Sequence, residues 1–167
     1  MTKEYNLEFI QNEFHELLKG LKTVTLSTVD HKNQPEASYT PYVEFESAYY
    51  LFISSLSKHT VNLKQNGSIS LLFIEDEAIS RNLFARRRVI FQGKGIIIDR
   101  KSIHYSLVMA QFRHRFGSFI DIIEPLQDFS LFQINVLKGR YIRGFGQAFE
   151  LAGIDLKEIT HIAPKSP

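Results

Sequence analysis

The segment TVTLSTVDHKNQPEASYTPYVEFESAYYLFIS, residues 23–54, decides the fold class. It begins with Thr23–Val29, which is rich in β-branched residues, and a polar turn then leads into a second strand-like run, Ala37–Phe45. A shorter break at Glu46 and Ser47 precedes a third run, Tyr49–Ile53. Three short strands joined by short turns predict an antiparallel meander.

Further strands and a few helices are predicted outward from this segment. The apolar spacing predicts a leading helix and a later basic helix, and Ser57 is placed to cap a short helix between them. Gly93 and Gly95 predict a bulge or a sharp bend in a late strand. The helices are predicted over Leu7–Leu18, His59–Asn66 and Asp99–Phe116, and the strands over Ile69–Ile74, Val89–Ile98 and Phe129–Tyr141, with one more short strand after Glu150.

This order of elements predicts a mainly β (α+β) fold, a β-barrel with peripheral helices. We expect a single domain over residues 1–167, in which residues 1–20 hold the leading helix and residues 150–167 form a C-terminal extension with an irregular Pro-rich end. No apolar leader precedes the first helix, and the longest apolar runs are far shorter than the ~20 residues that span a bilayer. We therefore expect a cytoplasmic protein that does not enter a membrane.

The composition excludes several classes of site. The chain has 167 residues and no cysteine, so it has no disulfide, no thiolate nucleophile and no Cys-ligated zinc or iron–sulfur cluster. The six histidines are scattered, and none forms an i, i+4 pair that would suggest a metal site.

The net charge of +2 conceals an uneven distribution. Residues 81–115 hold nine bases and one acid, which gives +8, whereas the rest holds eleven bases and seventeen acids, which gives −6. Such asymmetry indicates an anionic ligand near the middle of the chain, or else a solvated basic face. No nucleic-acid-binding motif accompanies the bases, so we do not expect a nucleic-acid partner.

Two segments could hold an anion. In the first, Ser57, Lys58 and His59 lie between a strand and a helix start, where free N–H groups favour phosphate or carboxylate; a plain capping turn is the equal alternative. In the second, Arg86, Arg87 and Arg88 enter a strand and could grip anionic oxygens. A solvated strand end or a subunit contact would use the same three residues.

Five passages together resemble a known family. The sequence is similar to the FMN-binding split barrels related to pyridoxamine 5′-phosphate oxidase, and more closely to the haem-iron utilisation branch of that superfamily. The resemblance runs from about Leu21 to Glu150. The passages are PEASYTPYV (35–43), YLFISSLSKHTVNL (50–63), ISLLFIEDE (69–77), LFARRRVIFQGKG (83–95) and DFSLFQINVLKGRYIRGFGQAFEL (128–151).

The resemblance implies a six-stranded antiparallel split β-barrel that forms a homodimer, with ligand sites at the subunit interface. The family's Ser-Arg-Lys segment, which holds the FMN phosphate, matches Ser57, Lys58 and His59, and its later Arg-Gln pair matches Arg87 and Arg88. The Arg that the oxidases place on the second strand falls on Ser38. The oxidases' carboxy-terminal Arg-Leu motif is absent, so we do not expect oxidation of pyridoxamine phosphate.

The haem branch implies that Lys58, His59 and the Arg86–Arg88 run neutralise the haem propionates across the dimer interface. Some members ligate haem iron through a His in a terminal Gly-His-Lys setting, which this chain lacks. Its terminal candidate, His161, is better interpreted as a strand-end residue, so catalytic and metal-binding residues stay unassigned.

Three functions follow from this resemblance. The leading hypothesis is a protein that binds haem and degrades it oxidatively. An FMN-dependent oxidoreductase is the alternative, so the cofactor is haem or FMN. A non-catalytic cofactor-binding module is the third, and whether the protein is an enzyme stays open. We expect the cofactor to contact Ser57, Lys58, His59, Arg86, Arg87 and Arg88.

Overall fold

The computed structural model describes residues 5–153 and 156–162, and within these ranges it has four α-helices and one nine-stranded antiparallel sheet. The Pro-rich end predicted for the chain lies outside the described residues. The helices are α1 (Leu7–Gly20), α2 (Lys58–Asn66), α3 (Ile103–Phe116) and α4 (Phe119–Ile123). The strands are β1 (Thr23–Val29), β2 (Pro35–Pro41), β3 (Val43–Phe45), β4 (Ala48–Ser54), β5 (Ser68–Ile74), β6 (Arg88–Ile97), β7 (Phe129–Gly144), β8 (Gln147–Ala152) and β9 (Glu158–His161).

The sheet curls back on itself, because its two ends are neighbours in sequence. The strand order is β2-β1-β5-β6-β7-β4-β3; in addition, β8 pairs with β7, and β9 pairs with β8. Only Tyr42 separates β2 from β3, although these strands lie at opposite ends of that order. A flat sheet would hold the two ends several strand widths apart, at ~4.8 Å per strand, so the sheet must close. The predicted mainly β barrel with peripheral helices is therefore confirmed, with more strands than the six expected.

The predicted strand Ala37–Phe45 is two strands. Its first part pairs with β1 and its last part pairs with β4, and the chain changes partners at Tyr42. The Tyr42 side chain turns into the interior, where its hydroxyl donates to the Leu18 carbonyl at 2.6 Å. The predicted three-strand meander is consequently two hairpins, β1–β2 and β3–β4, on opposite sides of the closure.

The core has two parts, one on each side of the curled sheet. Helix α1 closes the barrel interior with Ile10, Phe14 and Leu18, and the Asn6 side chain caps its first turn by accepting from the Phe9 N–H. On the other side, α3 and α4 pack against the outer face of β4. These two helices form one wall of a groove beside β2 and β4.

One helix begins later than predicted, and two elements were not predicted. Helix α3 begins at Ile103 rather than Asp99, because the Ser102 hydroxyl caps it by accepting from the Tyr105 N–H. Helix α4 was not predicted, since five residues carry little periodic signal. The chain forms β8 at Gln147–Ala152 and β9 at Glu158–His161, whereas one short strand was predicted, after Glu150.

The predicted bulge lies at Gly93. The pairing of β6 with β7 shifts between Gln92 and Gly93, which leaves Leu137 of β7 as the extra residue. A Cβ atom on Gly93 would lie 2.2 Å from the backbone oxygen of Asn135, so the two strands approach closely only because residue 93 has no side chain.

We expect Gly93→Ala to lower the free energy of unfolding by roughly 3 kcal/mol, since the added methyl group must push two paired backbones apart. Chemical denaturation monitored by circular dichroism measures the change. The control is Gly20→Ala at the end of α1, where an added Cβ meets no atom within 4 Å. That variant should be as stable as the wild type or up to ~1 kcal/mol more stable. Equal stabilities of the two variants would contradict the close approach at Gly93.

Candidate functional site

An apolar groove of about 330 Å³ lies between strands β2 and β4 and helices α3 and α4. Aromatic and aliphatic side chains form most of its walls, which suits a flat apolar ligand. Four polar residues also line it, and two of them, Ser57 and His59, lie at the start of α2. The apolar lining consists of Tyr39, Pro41, Phe52, Ile53, Phe112, Phe116, Phe119, Ile120, Ile123 and Phe129, and the polar lining consists of Thr40, Ser54, Ser57 and His59.

Large apolar side chains are also exposed at and beside the apolar groove. Tyr39 and Phe119, both in its lining, expose 71% and 60% of their surface. Leu56, in the turn before α2, exposes 91%, and Ile122 of α4 exposes 67%. Clustered exposure of this kind marks a surface that contacts a ligand or another chain.

Asp128 fixes the turn that carries the polar side of the groove. Its carboxylate accepts from the Ser54 hydroxyl at 2.5 Å. Its backbone carbonyl accepts from the N–H of Ser55 at 2.8 Å and from the Ser55 hydroxyl at 3.0 Å. Lys64 of α2 donates to the same Ser55 hydroxyl at 2.8 Å, so the turn is hydrogen-bonded to Asp128 and to α2.

Ser57 lies at the predicted cap position of α2, but its side chain makes no capping hydrogen bond. The hydroxyl therefore stays available on the groove side of the helix start. Lys58 is 81% exposed, and its only ion pair among the described residues is a loose one, 3.8 Å from Glu36. A lysine in this position can reach an anionic group without losing a strong internal partner.

His59 is buried, and its Nδ1 hydrogen-bonds the Ser38 hydroxyl at 2.8 Å. Burial lowers the pKa of His59 below its usual 6.5, and this effect exceeds the opposite one of the Glu36 carboxylate. The imidazole is therefore neutral at pH 7, and it contributes hydrogen bonding rather than positive charge to the groove. Ser38, where the oxidases carry an arginine, thus positions the histidine.

The three arginines of the second predicted segment do not line the apolar groove. Arg86 donates to the carbonyl of Glu75 and, at 2.8 Å, to the carboxylate of Glu77. Arg87 pairs with the buried Glu75 carboxylate at 2.8 Å, and Arg88 donates to the Arg86 carbonyl. Within one chain, the structure does not bring these arginines together with Ser57, Lys58 and His59.

Most of the basic stretch at 81–115 is engaged inside the molecule. Arg100 donates to three backbone carbonyls that follow α4, and Arg113 pairs with Asp121 and Glu124. Lys94 donates to the Asn66 carbonyl and the Ser68 hydroxyl, and Arg115 donates to the Leu21 carbonyl. The charge of +8 therefore does not form one anion-binding surface.

His161 is the last residue of β9, as the strand-end interpretation predicted. Its Nε2 hydrogen-bonds the Gly146 carbonyl at 3.0 Å, and its ring lies 5.3 Å from that of Phe149. His161 is not among the residues that line the apolar groove. Over residues 5–153 and 156–162, no three His, Asp or Glu side chains come together as a metal site, and no helix is long and apolar enough to cross a membrane.

Sequence reasoning missed the two features that shape the groove. Phe112 and Phe116 follow the i, i+4 spacing of one helical face, which is a sequence signal for an aromatic wall, whereas Phe119 lies on the separate helix α4. Asp128 carried no such signal, because its partners Ser54 and Ser55 lie more than 70 residues away in the sequence.

Comparison with known proteins identifies the family to which the chain is similar. A family model described as pyridoxamine 5′-phosphate oxidase matches residues 10–143. A protein named heme oxygenase HutZ, from Vibrio cholerae serotype O1, is 37% identical over 153 residues, which cover 92% of this chain and 87% of that protein.

Two solved structures are similar over most of the chain. The crystal structure of HutZ from Vibrio cholerae, described there as a heme storage protein, has a TM-score of 0.73 at 37% identity and covers 75% of this chain and 89% of that one. Campylobacter jejuni ChuZ has a TM-score of 0.87 at 26% identity and covers 96% of this chain and 65% of that one. The chain therefore belongs to the pyridoxamine 5′-phosphate oxidase family, in the haem-utilisation branch that its sequence indicates.

Proposed function

We propose that this protein binds haem in the apolar groove, at a site that two copies of the chain complete. The observation that carries the proposal is the aromatic wall built by β4, α3 and α4 beside a turn that bears an exposed lysine. A haem is a broad apolar ring with two propionates at one edge, so it needs apolar walls and a nearby base. The names of the Vibrio cholerae relative support this choice of ligand.

The residues of the groove fit the parts of a haem. The phenylalanines would contact the ring, and Lys58 would pair with a propionate. Ser57 and the free N–H groups at the start of α2 would donate to the same anionic oxygens. Neutral His59, held by Ser38, would donate or accept one hydrogen bond. Bound haem supplies redox chemistry at its iron, while the protein positions it and excludes water.

A homodimer is part of the proposal. The groove's 330 Å³ lies at the low end of the ~300–1,000 Å³ typical of ligand sites, so one chain covers only part of a large ring. The exposed Tyr39, Leu56, Phe119 and Ile122 are suited to contact a second chain. The second chain would also supply the arginines that were predicted to contact the cofactor, Arg86, Arg87 and Arg88. Arg88 is the least constrained of the three, because it donates only to the Arg86 carbonyl.

FMN is the alternative ligand, and the match to the pyridoxamine 5′-phosphate oxidase model favours it. Its phosphate would occupy the turn of Ser57, Lys58 and His59, where the family holds it. The visible spectrum of the protein as purified distinguishes the two, since flavin and haem absorb at different wavelengths. Turnover with a reductant would then separate an enzyme from a binding module. The proposal places the protein in the cytoplasm, as its sequence predicts.

Hemin titrated into the purified apoprotein should produce a saturable Soret shift. We expect Phe119→Asp to weaken hemin binding at least tenfold, because it places a charge in the apolar wall. The matched control is Phe145→Asp in the β7–β8 turn, where Phe145 is 69% exposed and does not line the groove. The absence of a saturable shift in the wild type, or equal affinities of the two variants, would contradict the proposal.

The dimer should weaken when a charge replaces Leu56. Sedimentation velocity over a concentration series should show a dimer for the wild type and a shift toward monomer for Leu56→Glu, because the carboxylate would be desolvated at the interface. The control is Leu137→Glu at the β7 bulge, where Leu137 is 68% exposed. A monomeric wild type would contradict the two-chain site.

Protonation of His59 should destabilise the fold in acid. Because burial lowers the pKa of His59 below 6.5, the unfolded chain binds the proton more readily, and stability is lost as the pH falls through this range. Between about pH 7.5 and about pH 5.5, the free energy of unfolding should fall more for the wild type than for His59→Asn. Burial also lowers the pKa of His15. Since the wild type and His59→Asn both contain His15, its contribution to the pH dependence is the same in the two proteins.

The control for this experiment is His31→Asn, in the exposed turn between β1 and β2. It should keep the pH dependence of the wild type. Equal losses of stability by the wild type and His59→Asn between the two pH values would contradict the conclusion that His59 is buried and neutral at pH 7.

A further inference from the structure

A second cavity, of about 540 Å³, lies between α1, the two short turns at 77–79 and 83–85, and the ends of β7 and β8. It shares no lining residue with the apolar groove. We call it the arginine cavity, because three guanidinium groups from separate parts of the chain line it. The lining consists of Glu13, Glu75, Ile79, Arg81, Asn82, Ala85, Arg87, Arg143, Gly144 and Gln147.

Both carboxylates of the arginine cavity already have partners. The Glu75 side chain is 7% exposed and accepts from the backbone N–H and the Nε of Arg87, each at 2.8 Å. Glu13, on α1, accepts from the Nε of Arg143 at 2.5 Å. These two ion pairs hold Arg87 and Arg143 in place and leave their remaining N–H groups available.

Several donors have no acceptor among the described residues. Arg81 is exposed and makes no hydrogen bond or ion pair within residues 5–153 and 156–162. Gln147 uses its side-chain oxygen to accept from Arg143, so its NH₂ group is free to donate. The Tyr141 hydroxyl is buried beside the Glu13 carboxylate and does not itself line the cavity.

The charge balance of the arginine cavity favours an anion. With three guanidinium groups and two carboxylates, the cavity has a net charge of +1 and a surplus of donors. A site of this kind matches an oxyanion, which accepts several hydrogen bonds at once.

We propose that the arginine cavity binds a small molecule through a phosphate or carboxylate group, at a site separate from the haem groove. Arg81 forms the new ion pair, while Arg87, Arg143 and Gln147 donate from positions that their internal partners already fix. The volume lies within the range of ligand sites, so it accommodates a molecule larger than a single ion. Preformed ion pairs lower the ordering cost of binding, because little side-chain freedom is lost.

The test uses the purified full-length protein without haem, so its outcome does not depend on haem binding. Calorimetric titrations at low ionic strength use pyrophosphate as the phosphate probe and citrate as the carboxylate probe. At least one probe should bind saturably, and the tighter one identifies the chemical source of the oxyanion. Arg81→Gln should weaken that binding about tenfold, and Arg81→Glu should abolish it.

The matched control is Arg140→Gln, which removes the same charge from the opposite face of β7 and does not line the arginine cavity. It should bind the probe as the wild type does. The proposal is overturned if neither probe binds saturably, or if Arg140→Gln and Arg81→Gln weaken binding equally. Arg81 is exposed, so its variants should unfold at the same temperature as the wild type without probe.

Discussion

The change of strand partner at Tyr42 is the constraint on which the rest of the structure depends. One residue joins the two ends of the sheet order, and its side chain is anchored from several directions. The hydroxyl donates to the Leu18 carbonyl at the end of α1, and the Arg115 guanidinium lies over the ring at 5.1 Å. Burial raises the pKa of Tyr42 to about 12, so the hydroxyl remains a donor throughout the physiological range.

Closure at Tyr42 also creates the apolar groove. The residues before it, Tyr39–Pro41, end β2, and the hairpin after it returns along β4 to Phe52–Ser54. Both segments line the groove, although they belong to strands at or near opposite ends of the sheet order. Helices α3 and α4 then cover the outer face of β4 and supply the aromatic wall. The ligand site is thus a consequence of how the sheet closes.

Features that depend on neighbouring residues were predictable from the sequence, and features that depend on distant contacts were not. The β-branched run predicted the bounds of β1, and the glycines of β6 predicted where its pairing with β7 becomes irregular, because both effects are local. Pairing with two different strands split Ala37–Phe45, and no local signal records that event. Likewise, Ser57 was correctly placed at the start of α2, but the role of Asp128 depends on contacts across the fold.

The basic stretch shows why charge counted along a chain is a weak guide to a binding surface. Arg100 and Arg115 donate to backbone carbonyls that lie more than 20 residues away in the sequence, and Arg113 pairs with carboxylates of the next helix, α4, and its end. The charges that remain available belong to two sites, which differ in how they treat charge. The apolar groove keeps a neutral His59 inside and an exposed Lys58 at its edge, because an unpaired buried charge would oppose binding of an apolar ring. The arginine cavity instead pairs its buried charges internally, which lets a donor-rich surface persist without a ligand.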